Sequence, residues 1–438
     1  MKGTVDQPRR KVPRPAKVVR ADIDDPPGIS PDRAIGGAYG EAWIFAFRGD
    51  RPLGKLVIGL ENGPVAGDDV GRALRAAFGE GTASVGSNPV PEERFPPVSV
   101  VVSSIFSRGE SLERCIAAIS RLDYPDYEVV LVDNRRDTFA PPAWTDSYPN
   151  VRVIREPRPG LPTARNRGWA EARGEVVAFT DDDVEVDPGW LRALATPLMH
   201  DPTVGCVTGL VIPKELETPS QRWFEEFLGG FSGGFASTVY RPMKGSRRSL
   251  WSPAGKYEVT VVDKAGAREV SEHSLFAAAT KCGVGANMAI RTEILRKVGG
   301  FDPLLGPGTP TTGCDDVSMF ATLLKAGSSI VHEPSAVVVH THRREYEEFV
   351  HQTYAWGKGL TAWLTALSWQ VPRNLVGVAV HVLPGLAGIA RRPWRVRAEQ
   401  RSSRPTYPRR LFWYEISGMA AGPIAYVSSR VAASRRQP

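Results

Sequence analysis

Asp181, Asp182 and Asp183 follow the apolar run from Glu175 to Thr180 and precede Val184. Three carboxylates therefore stand where a buried strand surfaces and ends. Ligands of open α/β sheets bind outside the carboxyl ends of the strands, and clustered carboxylates there can hold a divalent cation against a diphosphate. Aspartates also end strands as turn formers and caps, as Asp187 before Pro188 and Gly189 does. The triplet points to a nucleoside-diphosphate substrate only if the other polar residues agree with it.

They are spaced to do so. Asp133 closes the apolar run Glu128 to Val132, where a carboxylate can accept the ring N–H of a pyrimidine. Arg165 and Asn166 fall near the start of an expected helix, where a guanidinium fork, an amide and free backbone N–H groups can meet a diphosphate. Asp181 and Asp183 share one side of an extended segment, because alternate residues do. Of Asp315 and Asp316, which precede a helical run, Asp315 can cap that helix or raise the pKa of its neighbour by like-charge repulsion. In His340-Thr-His342, an exposed histidine explains His342 as readily as a ligand does.

The elements that must position these groups read as follows. Strands are expected over 98–102, 128–132, 175–180, 205–212 and 285–291. Helices are expected around 112–122, 164–173, 190–199 and 317–326, with Gly174 and Gly327 as stops. Strand and helix alternate, which implies a parallel sheet with right-handed crossovers. The segment between Ser220 and Ser274 is aromatic and reads as irregular, suiting a variable binding surface. Upstream, residues 1–35 read as a disordered basic tail. Residues 36–90 read as a small accessory α+β unit with a hairpin over 42–60 and a helix capped by Asp68.

Taken in order, Val98-Ser-Val-Val-Val102, Leu131-Val-Asp-Asn134, Pro159-Gly160 through Ala164-Arg-Asn-Arg-Gly168, Phe179-Thr-Asp-Asp-Asp183, Gly299-Gly-Phe-Asp302, Asp315-Asp316 and His340-Thr-His342 resemble a bacterial family 2 inverting glycosyltransferase. The resemblance covers residues 97–358 and implies a GT-A fold, a Rossmann-like α/β sheet, with 359–438 as a helical, basic extension. It implies Asp183 as a direct metal ligand with Asp181, Asp181 or Asp182 on the ribose, and His340 as an added imidazole ligand. It also implies Asp133 as reader of uracil or thymine, Arg165 and Asn166 on the diphosphate, and Asp316 as general base, in a pair that is usually Glu-Asp. The metal would be Mn2+ or Mg2+, which suit carboxylate oxygens and leave part of the shell to phosphate and water. Such a transfer needs one carboxylate to deprotonate the acceptor hydroxyl while the diphosphate leaves from the opposite face. After the first strand, relatives carry a Thr followed by Asn or Asp and Arg. This chain has Ser103 to Arg108 there, with Ser104 as the nucleotide contact.

Composition narrows the classes further. The chain has 438 residues and a net charge of +7, but residues 1–20 carry +6 and 391–438 carry +9, leaving a body of −8. A basic balance confined to the ends argues against a nucleic-acid-binding core. Four separated cysteines and a basic, Pro-rich N-terminus without an apolar run suggest reduced thiols, no secretory signal and a cytoplasmic location. The run Leu375 to Ala390 is too short to span a bilayer, so contact with the inner face of the membrane would be peripheral. Two rivals remain: a sugar nucleotidyltransferase, whose Gly-rich loop is missing at Ser103 to Gly109, and a scaffold that kept the nucleotide site without turnover.

Overall fold

All seven residues of the strand Val98–Ser104 are buried, as are all ten of Val204–Pro213. Strands covered on both faces read as near-continuous apolar runs, which is why these segments form the middle of a sheet rather than its rim. The computed structural model describes residues 12–34, 37–79, 91–137, 141–231, 234–243, 256–262, 266–372, 375 and 408–435.

The N-terminal unit contains β1 (Ala16–Asp22), the short pair β2 (Arg33–Ala34) and β3 (Gly37–Ala38), β4 (Glu41–Arg48), β5 (Arg51–Gly59) and α1 (Gly67–Phe78). β1 runs parallel to β4, which pairs antiparallel with β5. The expected tail to residue 35 thus includes a paired strand. Asp68 lies in the first turn of α1, whose cap is Ala66. Along β4, Ala42, Ile44 and Ala46 pack into the unit's own core with Leu74. Trp43, Phe45 and Phe47 alternate with them and pack against Leu210, Ile212 and Val337 of the main sheet. One strand therefore serves two cores through its period-two alternation.

The main sheet holds eleven strands among the described residues: β6 (Val98–Ser104), β7 (Tyr127–Asp133), β8 (Val151–Arg155), β9 (Val176–Asp181), β10 (Val184–Val186), β11 (Val204–Pro213), β12 (Ser237–Pro242), β13 (Lys256–Val262), β14 (Arg268–Ser274), β15 (Asn287–Arg291) and β16 (Ser329–His340). Their order is β14-β13-β12-β16-β11-β15-β9-β6-β7-β8, with β10 added on β16. β6 pairs parallel with β7 on one side and with β9 on the other. The chain therefore reverses direction of growth at β6, the topological switch point at which open α/β sheets bind ligands. The segment expected to be irregular between 220 and 274 instead supplies α5 (Pro219–Phe227) and the antiparallel β12, β13 and β14.

The other helices among the described residues are α2 (Gly109–Ile119), α3 (Leu161–Ala170), α4 (Trp190–His200), α6 (Leu275–Ala279), α7 (Thr292–Val298), α8 (Asp315–Lys325), α9 (Tyr346–Gln370) and α10 (Arg409–Ser434). The expected boundary between residues 358 and 359 falls inside α9, so the two expected units share one continuous helix. Most of the apolar run Leu375 to Ala390, and Trp394, lie outside the described residues. No helix among the described residues is long and apolar enough to cross a membrane.

Candidate active site

A cavity of about 370 Å³ opens at the switch point. Its lining includes Ser103 and Ser104 from the end of β6, Asn134 after β7, Asp181, Asp182 and Asp183 at the end of β9, and His340 at the end of β16. Arg108, Phe231, Arg343 and Gln352 complete much of the wall. Residues separated by more than 200 positions meet here because four strands of one direction, β6, β7, β9 and β16, end at the same sheet edge.

The acidic triplet is divided between two arginines. Asp182 accepts hydrogen bonds from Ser104 Oγ at 2.6 Å and Arg108 Nη1 at 3.2 Å. Arg108 also pairs with Asp183. His340 Nε2 lies 3.4 Å from Asp183 Oδ1. Asp181 pairs instead with Arg165 at 2.8 Å. Among the described residues no group of three or more His, Cys, Asp or Glu side chains could hold a metal ion. Asp183 and His340 nevertheless form a carboxylate-and-imidazole donor pair whose chemistry fits Mn2+ better than Mg2+, and Arg108 already answers the negative charge there with a cation. The residues fit a partial site that phosphate and water would complete.

Burial pushes the Asp182 carboxyl above the usual range, against the pull of Ser104 and Arg108. Burial also pushes the Asp315 carboxyl up to about 6, opposed by the Arg165 charge and assisted by Asp316. Arg165, only 3% exposed, donates to Asp315 at 2.7 Å, to Asp181 and to the carbonyl of Gly285. It was expected on a diphosphate; it is the buried tie between the acidic triplet and the start of α8. Asp316 is the second residue of α8. Its two oxygens accept from the backbone N–H of Gly285 at 2.9 Å and of Val317 at 2.8 Å. It is not among the cavity-lining residues and joins them through Arg165 and Gly285.

Two other expected contacts are occupied by the protein itself. The Asn166 amide donates to Phe301 O, while its oxygen accepts from Phe301 N and Trp169 Nε1. That pins α3 to the Gly300-Phe301 loop and commits the Asn166 oxygen and one of its two amide N–H groups. Asp133 is fully buried and accepts two parallel bonds from the Arg135 guanidinium, which stacks 4.5 Å from the Phe106 ring centroid. His342 is buried, not exposed, and bonds to Glu225 and His340. Burial lowers its pKa against the pull of Glu225.

The loops around the site hold unusual backbone. Phe106 (φ 57°) follows β6, and Thr312 (φ 65°) and Cys314 (φ 64°) precede α8. Non-glycine residues in this left-handed region cost on the order of 1–3 kcal/mol each and persist where surrounding structure enforces them, often at functional loops. Gly160 (φ 129°) and Gly308 are required by close approach, since a Cβ on Gly308 would lie 2.9 Å from the Gly160 Cα. Ser103 Oγ is buried without a hydrogen-bond partner and lines the cavity, so an incoming polar group is its natural complement. Arg343, Phe231 and Gln352 were not singled out in the sequence, and Arg108 only closed the loop after the first strand; an Arg at the N-cap of α2 carries no signal until the helix is docked.

Residues 99–252 match the family model described as Glycosyl transferase family 2. The chain is 26% identical over 265 residues to the pre-mycofactocin glycosyltransferase of Mycobacterium tuberculosis, covering 59% of this chain and 45% of that protein. It is 26% identical over 260 residues to the N-acetylglucosaminyl-diphospho-decaprenol L-rhamnosyltransferase of the same organism, covering 55% and 75%. The chain spans less than half the length of several curated relatives it matches. Among solved structures it is similar to a mannosyltransferase from Pyrobaculum calidifontis in complex with GDP-Man and Mn2+, at TM-score 0.46 and 18% identity, covering 80% of this chain and 92% of that one. Residues 99–252 thus match glycosyltransferase family 2, the family that the ordered motifs of the sequence resemble.

Proposed function

We propose that this enzyme moves a sugar, with inversion, from a UDP- or TDP-linked donor to an acceptor hydroxyl of a glycan, a lipid-linked glycan or a natural product, using Mn2+ or Mg2+. The observation that carries the reading is the convergence of Asp183, His340, Arg108 and the Ser104–Asp182 pair around one cavity at the switch point. Asp183 and His340 would hold the cation, with Asp181 beside them. When bound, it offsets the charge that builds on the leaving diphosphate.

The protein's own residues do the rest. Arg108 and Arg343, both on the cavity wall, meet the diphosphate, and Ser103 and Ser104 hold polar groups of the nucleoside. A pyrimidine is favoured through Asp133, whose carboxylate would exchange Arg135 for the ring N–H. Asp316 takes the proton of the acceptor hydroxyl. The acceptor oxygen then bonds to the anomeric carbon from the face opposite the diphosphate, and the old C–O bond breaks with its electron pair leaving on the nucleoside diphosphate. Backbone N–H groups on both Asp316 oxygens fix the carboxylate for that task.

Calorimetric titration of UDP, TDP and GDP with Mn2+, and again with chelator, tests the donor site. One pyrimidine diphosphate should bind only with Mn2+; no binding of any of the three by folded protein would overturn the assignment. Asp316→Asn should keep that binding and lower kcat by about 10²–10⁴-fold. Transfer at the wild-type rate would remove Asp316 as base.

A further inference from the structure

Behind His340 runs a buried chain of polar groups that the transfer reaction does not use directly. His340 Nδ1 lies 2.9 Å from His342 Nδ1, and His342 Nε2 lies 2.8 Å from Glu225 Oε1. Glu225, His340 and His342 are all buried. Phe224 packs edge-on to His342 with centroids 4.7 Å apart, and Phe231 packs likewise on His340 at 5.0 Å. Glu225 is fixed on α5, whose start is locked by a capping box between Thr218 and Gln221. The same two residues bond to the carbonyls of Arg344 and His342. The helix and the segment after β16 therefore move together.

The chemistry of these contacts leaves one self-consistent proton arrangement for neutral rings. A carboxylate only accepts, so the proton of His342 sits on Nε2. A neutral imidazole carries a single N–H, so His342 Nδ1 is bare and accepts from His340 Nδ1–H. His340 Nε2 is then bare as well, and it is the atom that faces Asp183 Oδ1 at 3.4 Å. Two acceptors opposed across that gap have no proton between them and are complementary to a cation. We infer that Glu225 and His342 are positioning residues that hold His340 as its Nδ1–H tautomer, so that its Nε2 lone pair and Asp183 form a preset half of a divalent-cation site.

The inference rests on the metal-dependent reading above but is testable without turnover. Long-range 1H–15N correlation of the imidazoles in metal-free protein, which has seven histidines to assign, should show His340 protonated at Nδ1 and His342 at Nε2. Finding His340 protonated at Nε2 would overturn it. Mn2+ binding followed by electron paramagnetic resonance gives the second readout. Glu225→Leu should weaken Mn2+ by about 10–100-fold, the usual effect of losing a partner behind a ligating histidine. Glu225→Gln, whose amide oxygen still accepts from Nε2–H, should stay near wild type. Equal Mn2+ affinity in wild type and Glu225→Leu would overturn the positioning role. If the wild-type protein bound no Mn2+ at all, the metal-dependent reading would fall, and the nitrogen shifts alone would decide the tautomer.

Discussion

Arg165 shows how much of this site is built from buried charge. Its guanidinium bridges Asp181 and Asp315 at 2.8 and 2.7 Å, joining the end of β9 to the start of α8. Breaking a buried pair by removing one partner leaves an uncompensated charge and costs about 3–5 kcal/mol. Arg165→Met should therefore lower the urea midpoint by a corresponding amount, and Arg165→Lys should recover little of it, because an ammonium cannot reproduce the fork. An unchanged midpoint would show that the two carboxylates do not depend on Arg165. Asp315 adds a pH signature. Its carboxyl is raised by burial from 3.8 to about 6, so between those values the native state keeps a proton that the unfolded chain has lost. The associated stability is fully present below 3.8 and is lost as pH rises through about 6. Asp315→Asn should flatten the stability profile in that window, and a variant that declines as wild type does would reassign the effect. Asp133 and Asp181 to Asp183 were legible in the sequence because they end apolar runs, and Asp315 and Asp316 because they open a helical one. Their partners were not. Arg108 and Glu225 come from other elements, and Asn166, expected near a helix start, sits in the middle of α3 and turns to Phe301.

At the scale of elements, the sequence exposed the Val-rich strands β6, β7 and β9, where periodicity and glycine stops are clean, and missed β8 between them in the chain. β16 escaped notice because Glu333-Pro334-Ser335 interrupts it, and its register with β11 shifts at that point. The meander β12–β14 was hidden because its strands are half polar, leaving the aromatics to suggest irregularity. The C-terminal helices show a seam that composition alone did not display. A Cβ on Gly418 would lie 2.1 Å from Tyr354 O, and one on Gly357 would lie 2.1 Å from Glu415 O. Thr361 Oγ1 donates across the seam to Met419 O at 2.8 Å. α9 in turn touches the loop before α8, where Gly359 meets Gly313, and Ser429 of α10 bonds to Leu304 O. Gly418→Leu should therefore separate α10 from α9, cost about 1–3 kcal/mol or more through overpacking, and expose α10 to limited proteolysis. A variant cleaved no faster than wild type would mean that the seam tolerates a side chain.

Across the whole molecule, two attached units bracket the catalytic sheet, and they attach in different ways. The N-terminal unit is fused through Trp43, Phe45 and Phe47 and reinforced by Arg222, which pairs with Glu41 and bonds to Arg14 O. The C-terminal hairpin is seated through glycines, and α10 presents a different surface outward. Trp413, Ile424, Val427 and Val431 are 66%, 72%, 44% and 44% exposed. With exposed Ser417 and Ala420 they recur at spacings of three and four, so they share one helix face. Glu415 is the one charged residue from 411 to 429, while Arg409, Arg410, Arg430 and Arg435 stand at the two ends. An apolar stripe with an interfacial Trp and arginine flanks suits an anionic lipid surface, and we propose that this face brings the chain to a membrane surface. The protein should float with phosphatidylglycerol vesicles and not with phosphatidylcholine ones, and added salt should weaken the association because surface charges are screened within about 10 Å at 0.1 M. Replacing Trp413, Ile424 and Val427 together by Ser should abolish flotation while leaving nucleotide binding intact, since none of the three lines the cavity. If the triple variant floats as wild type does, α10 is not the contact, and the stripe belongs to a protein partner or to another part of the chain.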